Sequence, residues 1–174
     1  MFHVKTYISK DSKWYEDRLP LEKFKNQYVH LEKDHKKLPD LANTIIHARL
    51  YGFVQITYKG KEILGEEEYG SIAGIWGILL NLIYDCLQNG YSVEYFPDYV
   101  MKLTLKAVDT ETVQFEIPGK NFILHKKEFF VAVLTGALKY NQIVHPIYKR
   151  AFPEGNSVQA LAFLKSKLKE VEQM

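Results

Sequence analysis

Between Thr44 and Tyr58 the chain repeats with a period of two. Ile46, Ala48, Leu50, Gly52, Val54, Ile56 and Tyr58 make an apolar row, whereas His47, Arg49, Gln55 and Thr57 fall on the other side. Such a strand has one dry and one wet face, as expected in an antiparallel sheet covered on a single side; strands of parallel sheets hide both faces and spell continuous apolar runs. Gly52 breaks the row and predicts a bulge or a close backbone approach. Lys59-Gly60 predicts a tight turn into Glu62-Ile63-Leu64. Further on, Met101, Leu103, Leu105 and Ala107, then Val113, Phe115 and Ile117, alternate with polar residues on either side of Asp109-Thr110, predicting a second antiparallel hairpin. Phe2 to Ile8, Tyr91 to Phe96 and Asn121 to Leu124 are further strand candidates.

Helical periods separate these strands. Leu21, Phe24, Tyr28, Leu31 and His35 recur at three- and four-residue steps after Pro20, predicting an amphipathic helix that ends near Leu38-Pro39. From Ser71 to Gln88, Ile72, Ile75, Trp76, Leu79, Ile83 and Leu87 share a helical stripe closed by Asn89-Gly90, with Glu66, Glu67 and Glu68 placed to complement its positive end. Its uncharged stretch is too short for a membrane span, so it reads as a core helix, with Gly74 and Gly77 allowing close approach to a sheet. Phe129, Phe130, Val133, Leu134, Ala137 and Leu138 predict a helix over Lys126 to Tyr140, and Val158, Leu161, Leu164, Leu168 and Val171 a last one after Gly155-Asn156-Ser157. The sum is α+β: a mainly antiparallel sheet covered on one face by helices.

The 174 residues are 47% hydrophobic and 25% charged, enough to close one core without a metal or disulfide, so residues 1–174 read as a single domain with 1–40 as a looser N-terminal part. A single cysteine, Cys86, and a start charged too early for a signal peptide point to the cytoplasm. The net charge of +2 conceals a partition: from Glu62 to Glu116 ten acids face two bases, Lys102 and Lys106, a net of −8, which leaves +10 for the rest. A field divided in this way steers a charged partner to one face.

Reactive constellations are sparse. Gly70-Ser71-Ile72-Ala73-Gly74 displaces the serine of a nucleophile elbow by one place, and neither phosphate-cradling glycine motif occurs. Cys86 sits in an apolar helical stretch where a thiol acts as a small hydrophobe. His30, Asp34 and His35 are the one dense group of ligand types; without a second anchor they read as a wet helix face, and neither a metal nor a cofactor is implied. Lys120, Lys126, Lys127, Lys139, Lys149 and Arg150, with Tyr140 and Tyr148, would be the basic, aromatic patch of a nucleic-acid adaptor, a reading that the modest pI of about 8.4 disfavours. A small-molecule site between sheet and helices, built from Tyr and His side chains, is the other alternative.

The order strand-turn-strand over Ile56 to Leu64, Trp-bearing helix over Gly70 to Asn89, hairpin over Val100 to Ile117 and Lys126-Lys127-Glu128-Phe129-Phe130 helix resembles small bacterial immunity proteins of polymorphic and contact-dependent toxin systems. The resemblance implies a cytoplasmic, non-enzymatic inhibitor that binds the toxic domain of a cognate toxin and blocks its active site. The acidic segment would then engage a basic toxin domain, with Glu66, Glu67, Glu68, Tyr69, Asp98 and Tyr99 as the expected contact residues.

Overall fold

The computed structural model describes residues 1–10, 25–37, 50–96, 98, 100–151 and 157–174. They form an α+β domain, as the patterning predicts, with the strands divided between two antiparallel sheets. In the first, β1 (Phe2–Ser9) lies between β2 (Tyr28–His30) and β3 (Tyr51–Tyr58), followed by β4 (Lys61–Leu64), while β5 (Gly70–Ser71) adds to the far end of β3. The second is a meander of β6 (Tyr91–Tyr95), β7 (Lys102–Ala107), β8 (Thr112–Ile117) and β9 (Lys120–His125). Among the described residues four helices accompany the sheets: α1 (Leu31–Asp34), α2 (Ile72–Asn89), α3 (Lys126–Ala151) and α4 (Ser157–Glu172).

Both sheets share one core. Helix α2 packs on β3, β6 and β7; α3 packs on β1 and β9, and α4 lies along α3. Trp76, Phe115, Phe129 and Phe130 are the core's largest fully buried side chains, while Phe53 is buried apart from it against Tyr7 and Tyr28. Val113, Phe115 and Ile117 of β8 point inward in strict alternation, and each buried side chain of this size contributes about 2 kcal/mol of transfer free energy.

Local chemistry places the turns. Lys59 and Gly60 both take positive φ, 49° and 79°, matching the right-handed twist of the β3–β4 hairpin. Gly90 ends α2 in the left-handed conformation, its N–H donating to the Cys86 carbonyl at 2.9 Å. Cys86 is buried, and burial pushes its thiol pKa up.

Gly52 satisfies its expectation of close approach: a Cβ there would drive into the Tyr7 carbonyl oxygen across the β1–β3 ladder. Gly77 does not, because it faces open space. The close approach instead belongs to Gly136 of α3, where a Cβ would meet the Trp76 ring and Val4 Cγ1, each at 2.7 Å.

The helix predicted after Pro20 is not continuous. A 3-10 turn over Lys25–Gln27 leads into β2, then into α1 and a second 3-10 turn over His35–Lys37. Pairing of Ile8 with Val29 and of Tyr7 with His30 supplies the ladder that overrides a helical spacing. Phe2–Ser9, expected in a looser N-terminal part, is flanked by strands on both sides. Helix α3 outlasts the predicted end at Tyr140 and runs to Ala151 through Pro146. The predicted strand residues 44–49, the helix start at 20–24 and its end at 38–39 lie outside the described residues.

Candidate functional site

The described contact residues expected from the sequence divide between the loop before α2 and the start of α2 itself. Glu66–Glu68 form a 3-10 turn of their own, separated from α2 by Tyr69 and β5. Complementing the start of α2 falls instead to Asp98, whose Oδ2 accepts the Ser71 N–H at 2.6 Å. Gly70 lies beneath it, where a Cβ would meet Asp98 Oδ2 at 2.7 Å and the Phe96 ring at 2.8 Å.

Glu68 points inward and is 3% exposed. One oxygen accepts the Gly65 N–H at 2.7 Å and the other lies 3.1 Å from Lys120 Nζ, which also reaches Glu67 at 2.7 Å. Burial raises the Glu68 pKa, while the Gly65 N–H and the Lys120 ammonium work against that rise. Tyr69 is buried and stacks on Tyr51 at 6.5 Å. Glu68 and Tyr69 are therefore inside the molecule, Glu66 and Asp98 are half-buried, Glu67 is exposed, and Tyr99 lies outside the described residues. The cluster pins the loop before α2 to the start of β9.

The neighbouring strand β6 reverses the usual polarity. Ser92 is buried, its hydroxyl donating to Asp85 at 3.4 Å, and Glu94 is half-buried on the same face. Tyr91 and Tyr95 face solvent at 46% and 60% exposure, with Val93 between them. Alternation alone would turn the tyrosines in and the serine and glutamate out. The ladder fixes the opposite choice: the Ala107 N–H donates to the Gly90 carbonyl and the Phe96 N–H to the Met101 carbonyl, each at 2.8 Å.

Because bonded pairs alternate in an antiparallel ladder, Ser92 and Glu94 complete this set with β7, and the backbone groups of Tyr91, Val93 and Tyr95 point to the open side. Among the described residues no strand pairs with that edge. The same three residues thus present both side chains and unpaired backbone groups over five residues, a length of about 13 Å. Sequence reading identifies the strand and misses this edge; its one available signal is the reversed order Tyr-Ser-Val-Glu-Tyr after a helix-capping glycine.

The other sequence candidates are dispersed. Tyr140 is buried against Trp76 at 6.0 Å, so its ring is not open to a base, and Lys120 is paired with glutamates. His30 stands at the N-cap position of α1 without a side-chain capping bond, and the His35 Nδ1 lies 3.1 Å from the Leu31 carbonyl oxygen within that turn. Among the described residues no group of three His, Cys, Asp or Glu side chains is arranged to hold a metal ion, and no helix is long and apolar enough to cross a membrane. No protein-family model, curated protein or solved structure matches the chain.

Proposed function

We propose that the chain is a non-enzymatic protein-binding module that receives an extended segment of a basic partner along the open edge of β6. The observation that carries this reading is the inverted strand: two tyrosines face water while a buried serine and a half-buried glutamate occupy the other face. Strand addition would pair the outward N–H and carbonyl groups of Tyr91, Val93 and Tyr95, and the tyrosine rings would supply the anchoring area typical of interface hot spots. The acidic balance of Glu62 to Glu116 favours a basic partner and an association that weakens as salt rises. The resemblance to immunity proteins makes the toxic domain of a cognate toxin the partner class, with inhibition by occlusion of its active site.

The test is capture at low salt from the native host, comparing the wild type with Val93→Pro and with Tyr91→Ser/Tyr95→Ser. Val93 directs its N–H away from β7, so proline there leaves the β6–β7 ladder intact and blocks strand addition. The reading expects a basic protein held by the wild type, released by salt, and lost from both variants at unchanged melting temperature. A partner held equally by both variants overturns the β6 edge as the docking place. A wild type that holds no protein overturns the binding function.

A further inference from the structure

A second region, on the opposite sheet and independent of the β6 edge, carries a separate inference. An open cleft of about 1310 Å³ lies between β1, α1 and α3. Phe2 packs by Phe129, ring centroids 5.6 Å apart, and Val4 closes on Gly136, so β1 and α3 run alongside one another in the same direction. Ala132, Gly136, Lys139, Ile143 and Pro146 follow at four- and three-residue steps and put one helical stripe along the cleft. Most of that stripe is apolar, with Val131 beside it.

Three lysines are among the residues that line the cleft. Lys5 comes from β1, Lys33 from α1 and Lys139 from α3, and none of the three forms an ion pair among the described residues. Two carboxylates share the lining. Glu32 is already engaged, its oxygens accepting the Thr6 N–H at 3.1 Å each and the Thr6 hydroxyl as well. Glu128 stands eleven positions before Lys139 on the same helix, about 16 Å along its axis, too far to neutralise it.

His30 also lines the cleft. Its Nδ1 lies 3.1 Å from Glu32 Oε2 without the alignment of a hydrogen bond, and both ring nitrogens are buried with no hydrogen-bond partner. Burial lowers its pKa, and the charges of Lys33 and Lys5 act in the same direction against Glu32. Three ammonium groups that form no ion pair among the described residues, beside an apolar wall, suit an anion, and the cleft has room for a ligand of drug-like size.

We propose that this cleft binds an amphipathic organic anion, its carboxylate or phosphate held by Lys5, Lys33 and Lys139 and its apolar body laid along Gly136, Ala132 and Val131, which reach about 12 Å along the helix from Lys139. The test is calorimetric titration of the full chain with octyl phosphate and octanoate below their micelle concentrations, beside inorganic phosphate and octylammonium. Both octyl anions bind, and the tighter one identifies the head group. Inorganic phosphate, which lacks the tail, and octylammonium, which carries the wrong charge, bind at least about tenfold more weakly.

Lys5→Gln/Lys33→Gln/Lys139→Gln removes charges that form no ion pair among the described residues, so its melting temperature stays and its affinity for octyl phosphate falls by about tenfold or more. Ala132→Trp fills the apolar wall and abolishes binding of both octyl anions while the lysines remain. Octylammonium binding as tightly as octyl phosphate overturns the proposal, as does a triple variant with unchanged affinity. Should Ala132→Trp fail to fold, the triple variant decides alone.

Discussion

The two sheets of this protein are assembled in opposite ways. The second is a meander in which each strand pairs with the next through a short connection, so its register is settled within stretches of about a dozen residues. The first draws β1 against β3 across some fifty residues of sequence, pairing Phe2 with Tyr58 and Ile8 with Gly52, and then adds β2 on the other side of β1. Local pairing tolerates a strand whose faces are reversed, as in β6, because the capping turn at Gly90 holds it in place. Long-range pairing depends on close fit at particular points, and two glycines supply them: Gly52 within the β1–β3 ladder and Gly136 where α3 crosses β1 and α2.

The sharpest way to break this contrast is Gly52→Ala, which sets a methyl group against the Tyr7 carbonyl and should destabilise the fold by roughly 3–5 kcal/mol. Urea unfolding measures the loss, and hydrogen exchange should show amides of β1 and β3 deprotected while those of β7 and β8 persist. Uniform deprotection of both sheets would mean that they open as one unit. Gly136→Ala comes next, at about 1–3 kcal/mol, because the Trp76 ring and Val4 must move to admit a Cβ. Thermal unfolding reads that effect, with the Trp76 fluorescence reporting whether its ring is displaced.

Lys120→Met tests the joint between the two regions. It leaves the buried Glu68 carboxylate with only the Gly65 N–H and should cost roughly 1–2 kcal/mol at neutral pH. Since the folded pKa of Glu68 is raised, its contribution is fully present below the ordinary carboxylate value of 4.5 and is lost as pH rises through the folded value. The variant should therefore recover towards wild-type stability in acid, as unfolding midpoints from pH 4 to pH 8, about the range between carboxylate and amine titration, would reveal.

The smallest effect belongs to His30 in the first sheet, and its sign is the reverse. Burial holds its folded pKa below 6.5, so its contribution is present above that value and is lost as pH falls through the folded one. Imidazole proton shifts followed by NMR should titrate below pH 6.5, and His30→Asn should flatten this limb of the stability curve without touching the one due to Glu68.

The same contrast governs what the sequence discloses. Alternation from Met101 to Ile117, the Lys59-Gly60 turn and the Gly90 cap are local statements, and the structure follows each of them. Tyr28, Leu31 and His35 obey a helical spacing too, but three residues of that stretch are taken by β2, because Tyr7, Ile8 and Ser9 of a distant strand offer them a ladder. No pattern within the segment announces its partner. The site residues divide in the same way: the convergence of Asp98 on the start of α2 is a long-range event, and the burial of Glu68 depends on Lys120, fifty-two positions away. An acidic triplet looks like surface until its counter-charge is located.

The uncovered side of β6 has a cost for the protein when it is alone. Backbone groups that no described strand pairs, flanked by two tyrosines and a valine, form a template that an identical strand from another copy can also read. On the proposed strand-addition reading, production of the chain is best matched to that of the partner that covers this edge, and a surplus would be the condition under which copies begin to stack on one another.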